Sequence, residues 1–211
     1  MKKILWLDTE TTGTDATLHS IIQIAGIIDI DGVEKLRFDY KCKPHPDFEI
    51  DDEALLIHKF SRKIMSGFPE IRDTYNQIKQ DFRAFVDPFN REDKFIIAGQ
   101  NIRFDLDMLS HFFMRQNDNY LGSFIDFKSR IELMDITKGL QALGFIKSDN
   151  IRLSTLCKEF GITLNAHNAL SDILATRELY YSLLNRISFN PPRSIIPTIN
   201  ESRKKVGLKD L

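Results

Sequence analysis

Cysteine is scarce in this sequence, and long apolar runs are missing. Only Cys42 and Cys157 occur among 211 residues, which excludes a disulfide framework and favours a reducing compartment. Cys42 and His45 are spaced like zinc ligands, but no second pair follows, so we do not predict a zinc site. No segment approaches the ~20 apolar residues of a membrane span, and Asp8 interrupts the first apolar run too early for a signal peptide. We therefore expect a cytoplasmic protein without membrane contact.

A surplus of basic charge is also absent. The chain has 29 lysine and arginine residues against 30 aspartate and glutamate residues, and its formal net charge is -1. Contact with nucleic acid must therefore come from a local patch instead of a generally basic surface. This balance of basic and acidic residues disfavours a protein that coats DNA without sequence preference, but it is compatible with an enzyme that binds a few nucleotides.

The length and composition predict one folded domain followed by a tail. With 42% hydrophobic residues, a chain of 211 residues fills one core, and nothing requires a second. Pro191 and Pro192 end the last helical pattern, and the chain beyond them becomes largely charged. We expect a domain over residues 1–189 and a C-terminal tail over residues 190–211 that is flexible or docks a partner.

Three strands are predicted at the start of the chain. Residues 4–10 begin with an apolar run and end in two acidic residues. Residues 21–30 are mostly β-branched and lead into Asp31 and Gly32, which are a strong hairpin signal. Residues 33–42 then alternate between apolar and polar. These segments predict three antiparallel strands.

Helices and strands alternate in the rest of the chain, as is typical of an α/β protein. The further strands are predicted at residues 94–99 and 131–134, and one helix is predicted to begin at Asp135. Helical spacing of phenylalanines places Phe89 on the packing face of the second predicted helix. The other predicted helices cover residues 52–58, 74–89, 104–115, 153–160 and 168–187.

The first strand carries two carboxylates on one face. Asp8 and Glu10 are separated by one residue, and side chains alternate across a strand, so both project to the same side. Two such groups hold one divalent cation between them when further ligands are nearby. Alone, the pair is better explained as acids that solvate the end of a strand.

Three further polar residues lie at the ends of other elements. Asp105 follows a buried strand and starts a helix, where an acid also simply favours the helix dipole. If Asn168 caps the last long helix, His167 lies in the entering loop and Asp172 lies about one turn inside. Asp172 is alternatively a residue of the helix's solvated face. The other histidines are interpreted as surface or packing residues: His19, His45, His58 and His111.

Together these residues predict a metal site. Four carboxylates that meet at one place repel each other and have raised pKa values unless cations neutralise them. An oxygen-rich set of ligands suits Mg²⁺ or Mn²⁺. The predicted ligands are Asp8, Glu10, Asp105 and Asp172.

Three motifs in this order resemble those of the DEDDh 3′–5′ exonucleases, the family that contains the proofreading epsilon subunit of bacterial DNA polymerase III, RNase T and oligoribonuclease. The resemblance covers roughly residues 3–186. It implies a ribonuclease H-like α/β fold, in which a mixed sheet has three antiparallel strands followed by parallel strands, with helices on both faces. The motifs are Leu7–Gly13, Asn101–Asp105 and His167–Asp172.

The resemblance also implies a mechanism. Two Mg²⁺ ions, for which Mn²⁺ substitutes, would be held by the four carboxylates, and His167 would be the general base that deprotonates the attacking water. Catalytic roles thus fall on Asp8, Glu10, Asp105, His167 and Asp172. The terminal nucleotide would be contacted by Thr11, Thr12, Asn101 and Phe104. Gln100 departs from the family, because many relatives have histidine there.

The function implied is hydrolysis of single-stranded or frayed DNA from the 3′ end to nucleoside 5′-monophosphates, in replication or repair. One alternative is an RNA exonuclease of the RNase T or oligoribonuclease type, because the same metals and base cleave either polymer. Another is a noncatalytic module that binds a polymerase. The expected partners are single-stranded nucleic acid, with DNA favoured over RNA, and a polymerase or a second copy of the chain.

Overall fold

The computed structural model describes residues 1–189 as a five-stranded mixed sheet with helices on both faces. The strand order is β3-β2-β1-β4-β5; β1 pairs antiparallel with β2, and β2 with β3, whereas β4 runs parallel to β1 and β5 to β4. The predicted α/β fold is therefore confirmed. The predicted tail, residues 190–211, lies outside the described residues. The strands are β1 (Lys3–Thr11), β2 (Ile21–Ile30), β3 (Val33–Lys41), β4 (Phe95–Gly99) and β5 (Ile125–Glu132).

The helices fill the connections between strands and follow β5. Between β3 and β4 lie α1 (Asp52–His58), α2 (Arg62–Met65) and α3 (Ile71–Phe85), and α4 (Ile102–Met114) joins β4 to β5. The chain then forms α5 (Leu133–Ala142), α6 (Leu153–Phe160) and α7 (Ala169–Phe189).

The turn between β2 and β3 follows its sequence signal. Asp31 and Gly32 have φ angles of 50° and 81°, and a two-residue hairpin with both φ values positive matches the right-handed twist of its strands. Only glycine adopts such angles without steric cost, and aspartate tolerates them better than most residues. The predicted hairpin thus fixes the register of the antiparallel half of the sheet.

Two elements differ from their predicted bounds. The helix predicted over residues 74–89 is α3, which ends at Phe85, because Pro88 lacks an amide donor and also disfavours helical geometry in the preceding residue. Phe89 consequently lies outside the helix and is 93% exposed instead of packed. The strand predicted over residues 131–134 is β5, which begins earlier and ends at Glu132. Its exposed charged residues belong to an edge strand and obscured the apolar signal.

Separate apolar clusters cover the two faces of the sheet. On one face, Leu5 and Leu7 pack with α3 and α4 through residues such as Phe82 and Leu109. On the other face, Trp6 packs with α7. Because neighbouring residues of β1 face opposite sides, its C-terminal end presents polar side chains to α4 on one face and to α7 on the other.

Candidate active site

The end of β1 directs Asp8 and Glu10 toward α7. Trp6 lies on the same face of the strand as these two carboxylates, and it packs against Ala169 and Ile173 at the start of α7. Asp172 lies between those two positions in the sequence of the helix. The packing of Trp6 therefore brings the helix that carries the third carboxylate to the end of the strand that carries the first two.

Three of the predicted ligands meet at this point. Asp8, Glu10 and Asp172 each offer a carboxylate oxygen within 4.8 Å of the others. Asp172 Oδ2 accepts a hydrogen bond of 3.0 Å from the backbone nitrogen of His167. Asp172 Oδ1 is buried and has no hydrogen-bond partner among the described residues. A buried oxygen without a hydrogen-bond partner, beside two more carboxylates, is the kind of ligand that a divalent cation binds.

The electrostatics of this cluster are unfavourable without a cation. Burial raises the pKa of Asp8 well above its ordinary value, and the charges of three neighbours raise it further: Asp105, Asp172 and Glu10. Burial, reinforced by Asp172 and Asp105, raises the pKa of Glu10 to about 7. Burial also raises the pKa of Asp172, although the hydrogen bond from His167 opposes it. Each shift disfavours the ionised form that a positive ion would stabilise.

Asp105 reaches the same strand end from the opposite face. It lies in the first turn of α4 and is 3% exposed, and its Oδ1 accepts hydrogen bonds from Thr9 N at 2.9 Å and Thr9 Oγ1 at 2.7 Å. Burial raises the pKa of Asp105 to about 7, even though the bonds from Thr9 lower it. Asp105 is not within the 4.8 Å group, but its charge is one of those that raise the pKa of Asp8.

Glu132 holds the turn that places Asp105, a role that no sequence pattern indicated. Its Oε1 accepts from Asn101 N at 2.8 Å and its Oε2 accepts from Ile102 N at 2.9 Å. These bonds secure Asn101, which has a φ of 60° and precedes α4. Glu132 Oε1 also accepts from Met134 N and so caps α5. A local pattern identifies only this cap, because the bonds to α4 join distant parts of the chain.

His167 lies at the mouth of the cluster. Its side chain is exposed, and its backbone has a φ of 66°, in the left-handed region that few non-glycine residues adopt. This conformation accompanies the hydrogen bond from its amide to Asp172. As predicted, Asn168 caps α7, because its Oδ1 accepts from Ser171 N at 3.1 Å.

A cleft of about 280 Å³ adjoins the acidic cluster. Glu10, Thr11 and Phe104 line it together with residues of α1, including Ile57 and His58. Phe104 and Ile57 offer apolar faces, as expected of a pocket that holds a nucleoside. His58, interpreted from sequence as a packing or surface residue, is a buried residue of this wall.

Thr12 does not line the cleft. It is fully buried, its amide donates to Ser20 O, and its hydroxyl donates to Glu49 O. These bonds tie the loop after β1 to neighbouring segments. Thr11 lines the cleft, whereas Thr12 has a structural role next to it, and the contact of both residues with the terminal nucleotide stays a prediction.

Comparison with known proteins identifies the kind of domain. A family model described as exonuclease, RNase T, matches residues 5–180. The chain belongs to this exonuclease family. The family expected from the three motifs is thus confirmed, and the acidic cluster with its cleft lies inside the matched exonuclease domain.

Individual relatives agree with the exonuclease assignment. The chain is 28% identical over 178 residues to a PolC-type DNA polymerase III of Halalkalibacterium halodurans, covering 84% of this chain and 11% of that protein. It is 26% identical over 185 residues to the DNA polymerase III subunit epsilon of Rickettsia typhi, covering 84% of this chain and 72% of the relative. The chain thus spans about a tenth of the PolC-type relative and most of the epsilon subunit.

Solved structures share the fold of this exonuclease domain. E. coli exonuclease I in complex with a dT13 oligonucleotide superposes with a TM-score of 0.74 at 24% identity, covering 89% of this chain and 42% of that one. The ribonuclease H-like arrangement of the sheet is therefore confirmed.

Within residues 1–189, every helix is too short or too polar to cross a membrane.

Proposed function

We propose that this chain is a divalent-metal-dependent 3′–5′ exonuclease that shortens single-stranded or frayed DNA and releases nucleoside 5′-monophosphates. The observation that carries the proposal is the meeting of Asp8, Glu10 and Asp172 within 4.8 Å, beside a cleft of about 280 Å³. Membership of the exonuclease family supports the reaction class. The choice of DNA is supported by the names of the relatives, which are DNA polymerase III proteins and an exodeoxyribonuclease I.

The residues present fit a divalent cation. Asp172 Oδ1 is buried without a partner among the described residues, and the neighbouring carboxylates have raised pKa values that a positive charge would lower again. Asp8, Glu10 and Asp172 would hold the ion, and Asp105, fixed by Thr9, would support a second one. When bound, two such Mg²⁺ or Mn²⁺ ions stabilise the charge that develops on the attacking and leaving oxygens of an in-line displacement.

The remaining chemistry belongs to the protein. Phe104 and Ile57 hold the terminal nucleoside in the cleft, and Thr11 contacts its sugar. An imidazole nitrogen of His167 accepts a proton from the water that attacks phosphorus. The bond from phosphorus to the 3′ oxygen of the preceding nucleotide breaks, and that oxygen takes up a proton from solvent. This leaves a new 3′-hydroxyl on the strand and frees a 5′-monophosphate.

The exposed position of His167 at the mouth of the acidic cluster suits its proposed role as general base. The hydrogen bond from the backbone amide of His167 to Asp172 fixes the backbone, while the exposed ring can approach a substrate from solvent. A general base must come within hydrogen-bond reach of the proton that it removes. A residue on an entering loop meets this condition more readily than one buried in the core.

The partners proposed from the relatives are a DNA polymerase and single-stranded DNA. The PolC-type and epsilon relatives are both proteins of DNA polymerase III by name, and the E. coli exonuclease I neighbour was solved with a single-stranded oligonucleotide. A second copy of this chain is the alternative protein partner. A pull-down with the purified replicative polymerase, checked by size-exclusion chromatography of the chain alone, separates the two.

The substrate is tested by digestion of one sequence made as DNA and as RNA, each labelled at its 5′ end. With Mg²⁺ we expect a ladder of DNA products that shortens from the 3′ end, faster than the RNA, and no products in EDTA. Faster digestion of RNA would overturn the choice of polymer. No cleavage of either polymer with Mg²⁺ or Mn²⁺ would favour the noncatalytic, polymerase-binding module.

A further inference from the structure

Two hollows lie at the end of the sheet opposite the acidic cluster, and the loop that joins α3 to β4 contributes residues to both. The basic hollow, of about 460 Å³, is lined by residues at the starts of β1, β4 and β5, among them Lys3 and Lys94. The aromatic hollow, of about 370 Å³, is lined by Phe89 of the loop and by Tyr120 and Arg83. Lys3 and Asp8 are five residues apart on β1, so the basic hollow is roughly 17 Å from the cluster.

The aromatic hollow presents flat apolar rings to solvent. Phe89 is 93% exposed and Tyr120 is 73% exposed. Both rings line one hollow, so they form a shared surface instead of two scattered contacts. Exposed aromatic rings that line a cavity beside cations are typical of surfaces on which the bases of a single strand stack.

Across the two hollows together, the cations exceed the carboxylates. Lys3 pairs with Asp93, and Lys79 pairs with Asp118, so these two lysines are neutralised. Glu92 and Asp126 are the carboxylates that line the basic hollow, where they face four other cations: Lys2, Arg91, Lys94 and Lys128. Arg83 adds a cation to the aromatic hollow. In a chain of net charge -1, this is a local surplus of positive charge.

We propose that the two hollows form a second nucleic-acid contact, which holds the part of a single strand that has not yet entered the cleft. The inference rests on the proposed exonuclease function and extends it from the terminal nucleotide to the body of the substrate. Phosphates would lie along the cations of the basic hollow, and bases would stack on Phe89 and Tyr120. A ligand that fills both hollows needs anionic groups for the basic hollow and flat aromatic groups for the aromatic hollow. A polynucleotide has both kinds of group in every repeat, whereas an acidic peptide has only the anionic ones.

The experiment measures binding separately from cleavage. The fluorescence anisotropy of labelled oligo-dT of about 20 nucleotides and of about 4 nucleotides is followed in EDTA, which stops hydrolysis. Phe89→Ser with Tyr120→Ser should weaken binding of the long strand about tenfold in EDTA and, in a separate assay with Mg²⁺, leave the trimming rate of the short strand unchanged. The control is Leu143→Ser, since Leu143 is 61% exposed and lies outside both hollows. An unchanged affinity of the aromatic variant for the long strand would overturn the proposal.

A second pair of variants tests the charges. Arg91→Ser with Lys128→Ser should lower the slope of log affinity against log salt by about 1.4, because each phosphate contact on a single strand contributes roughly 0.7. The control removes two exposed lysines elsewhere, Lys35 and Lys138, and should leave the slope unchanged. Equal slopes in the Arg91→Ser/Lys128→Ser variant and the wild type would contradict a phosphate contact.

Competition identifies the occupant. A poly-glutamate peptide of matched charge should displace the long oligonucleotide poorly, because it has no bases to stack. Displacement as effective as by unlabelled oligo-dT would overturn the proposal in favour of an acidic protein partner. If these variants bind the long strand normally while the wild type trims DNA, the inference alone fails. If the variants lose binding but the wild type trims nothing, the proposed function alone fails.

Discussion

The two oxygens of Asp172 have different environments. Oδ2 accepts a hydrogen bond from the amide of His167, whereas Oδ1 is buried and lacks a partner among the described residues. The first bond fixes the orientation of the carboxylate, and the second oxygen is thereby directed into the acidic cluster. His167 has a left-handed backbone conformation, which costs of order 1 kcal/mol or more. This conformation accompanies the hydrogen bond that orients the Asp172 carboxylate.

Replacement of the proposed general base should affect turnover more than metal binding. His167→Ala removes the imidazole but keeps the amide that bonds Asp172, so we expect kcat on single-stranded DNA to fall by ~10²–10⁴ at neutral pH. The stabilisation by Mn²⁺, measured as a shift in Tm, should persist. His111→Ala, which removes a half-buried histidine of α4, is the control. Loss of the Mn²⁺ shift in His167→Ala would instead make His167 a ligand or a structural support.

The sequence revealed some site residues and concealed others for a physical reason. Asp8 and Glu10 were predictable together because the period of a strand puts alternate residues on one face. The roles of Glu132 and Thr12 were not predictable, because each depends on backbone groups that are distant in sequence and adjacent only after folding.

At the scale of elements, a buried ion pair fixes α7 to the sheet. Asp29 of β2 is fully buried and accepts from Arg177 Nε at 2.8 Å and from an Arg177 terminal nitrogen at 3.0 Å. The same carboxylate accepts from Trp6 Nε1 at 2.9 Å and from the hydroxyl of Tyr181 at 3.2 Å. Because α7 carries Asp172, this network sets the position of a proposed ligand from about one turn farther along the helix.

Removal of the cation from this network should destabilise the fold. Arg177→Met leaves the Asp29 carboxylate buried without its charged partner, so the free energy of unfolding should fall by about 3–5 kcal/mol in urea titrations. Arg62→Met breaks the exposed pair with Asp52 and should cost about 1 kcal/mol or less. Equal effects of the two substitutions would show that the buried network contributes no more than a surface pair.

Glu159 of α6 gives the fold a predictable dependence on pH. Burial opposes ionisation, but hydrogen bonds from Ser148 and Arg186 and from two backbone amides lower its pKa from 4.5 to about 2. The folded state thus favours the ionised form, so the stabilisation is complete above about pH 4.5 and is lost as the pH falls toward 2. Thermal melts should show a loss of about 1–3 kcal/mol in this window that Glu159→Gln lacks. The same slope in both proteins would contradict this assignment.

The predicted elements failed where tertiary context overrides local pattern. The spacing of phenylalanines extended the predicted α3 to Phe89, although Pro88 ends the helical geometry and Phe89 is exposed in a hollow. The edge strand β5 carries exposed charges that obscure its periodicity, so only its last residues were predicted. By contrast, α1 was predicted with its observed bounds, Asp52–His58.

On the scale of the whole molecule, the fold brings residues from separate segments to one end of β1. The strand β1 itself carries Asp8 and Glu10, α4 supplies Asp105 from one face, and α7 supplies Asp172 from the other. This topology followed from the family motifs and not from periodicity alone, because strand order is a long-range property. The exonuclease model matches residues 5–180, a range that includes every proposed ligand.

Truncation tests whether the domain is self-sufficient. A protein of residues 1–189 should remain soluble and trim short oligonucleotides within about twofold of the full chain, because every proposed ligand and cleft residue lies in this range. Circular dichroism and the trimming rate are measured on the same preparation. An insoluble or unfolded product would show that residues 190–211 complete the core.

The most direct test of the central claim is calorimetric titration with Mn²⁺, followed by DNA trimming with the same samples of wild type, Asp8→Asn and Asp172→Asn. The wild type should bind Mn²⁺ and shorten DNA from the 3′ end, and both variants should lose tight binding and trimming while keeping their fold. Without metal, Asp8→Asn should be more stable than the wild type, because it relieves repulsion in the cluster. Folded variants that still bind Mn²⁺ tightly and trim DNA would contradict a cation site formed by Asp8, Glu10 and Asp172.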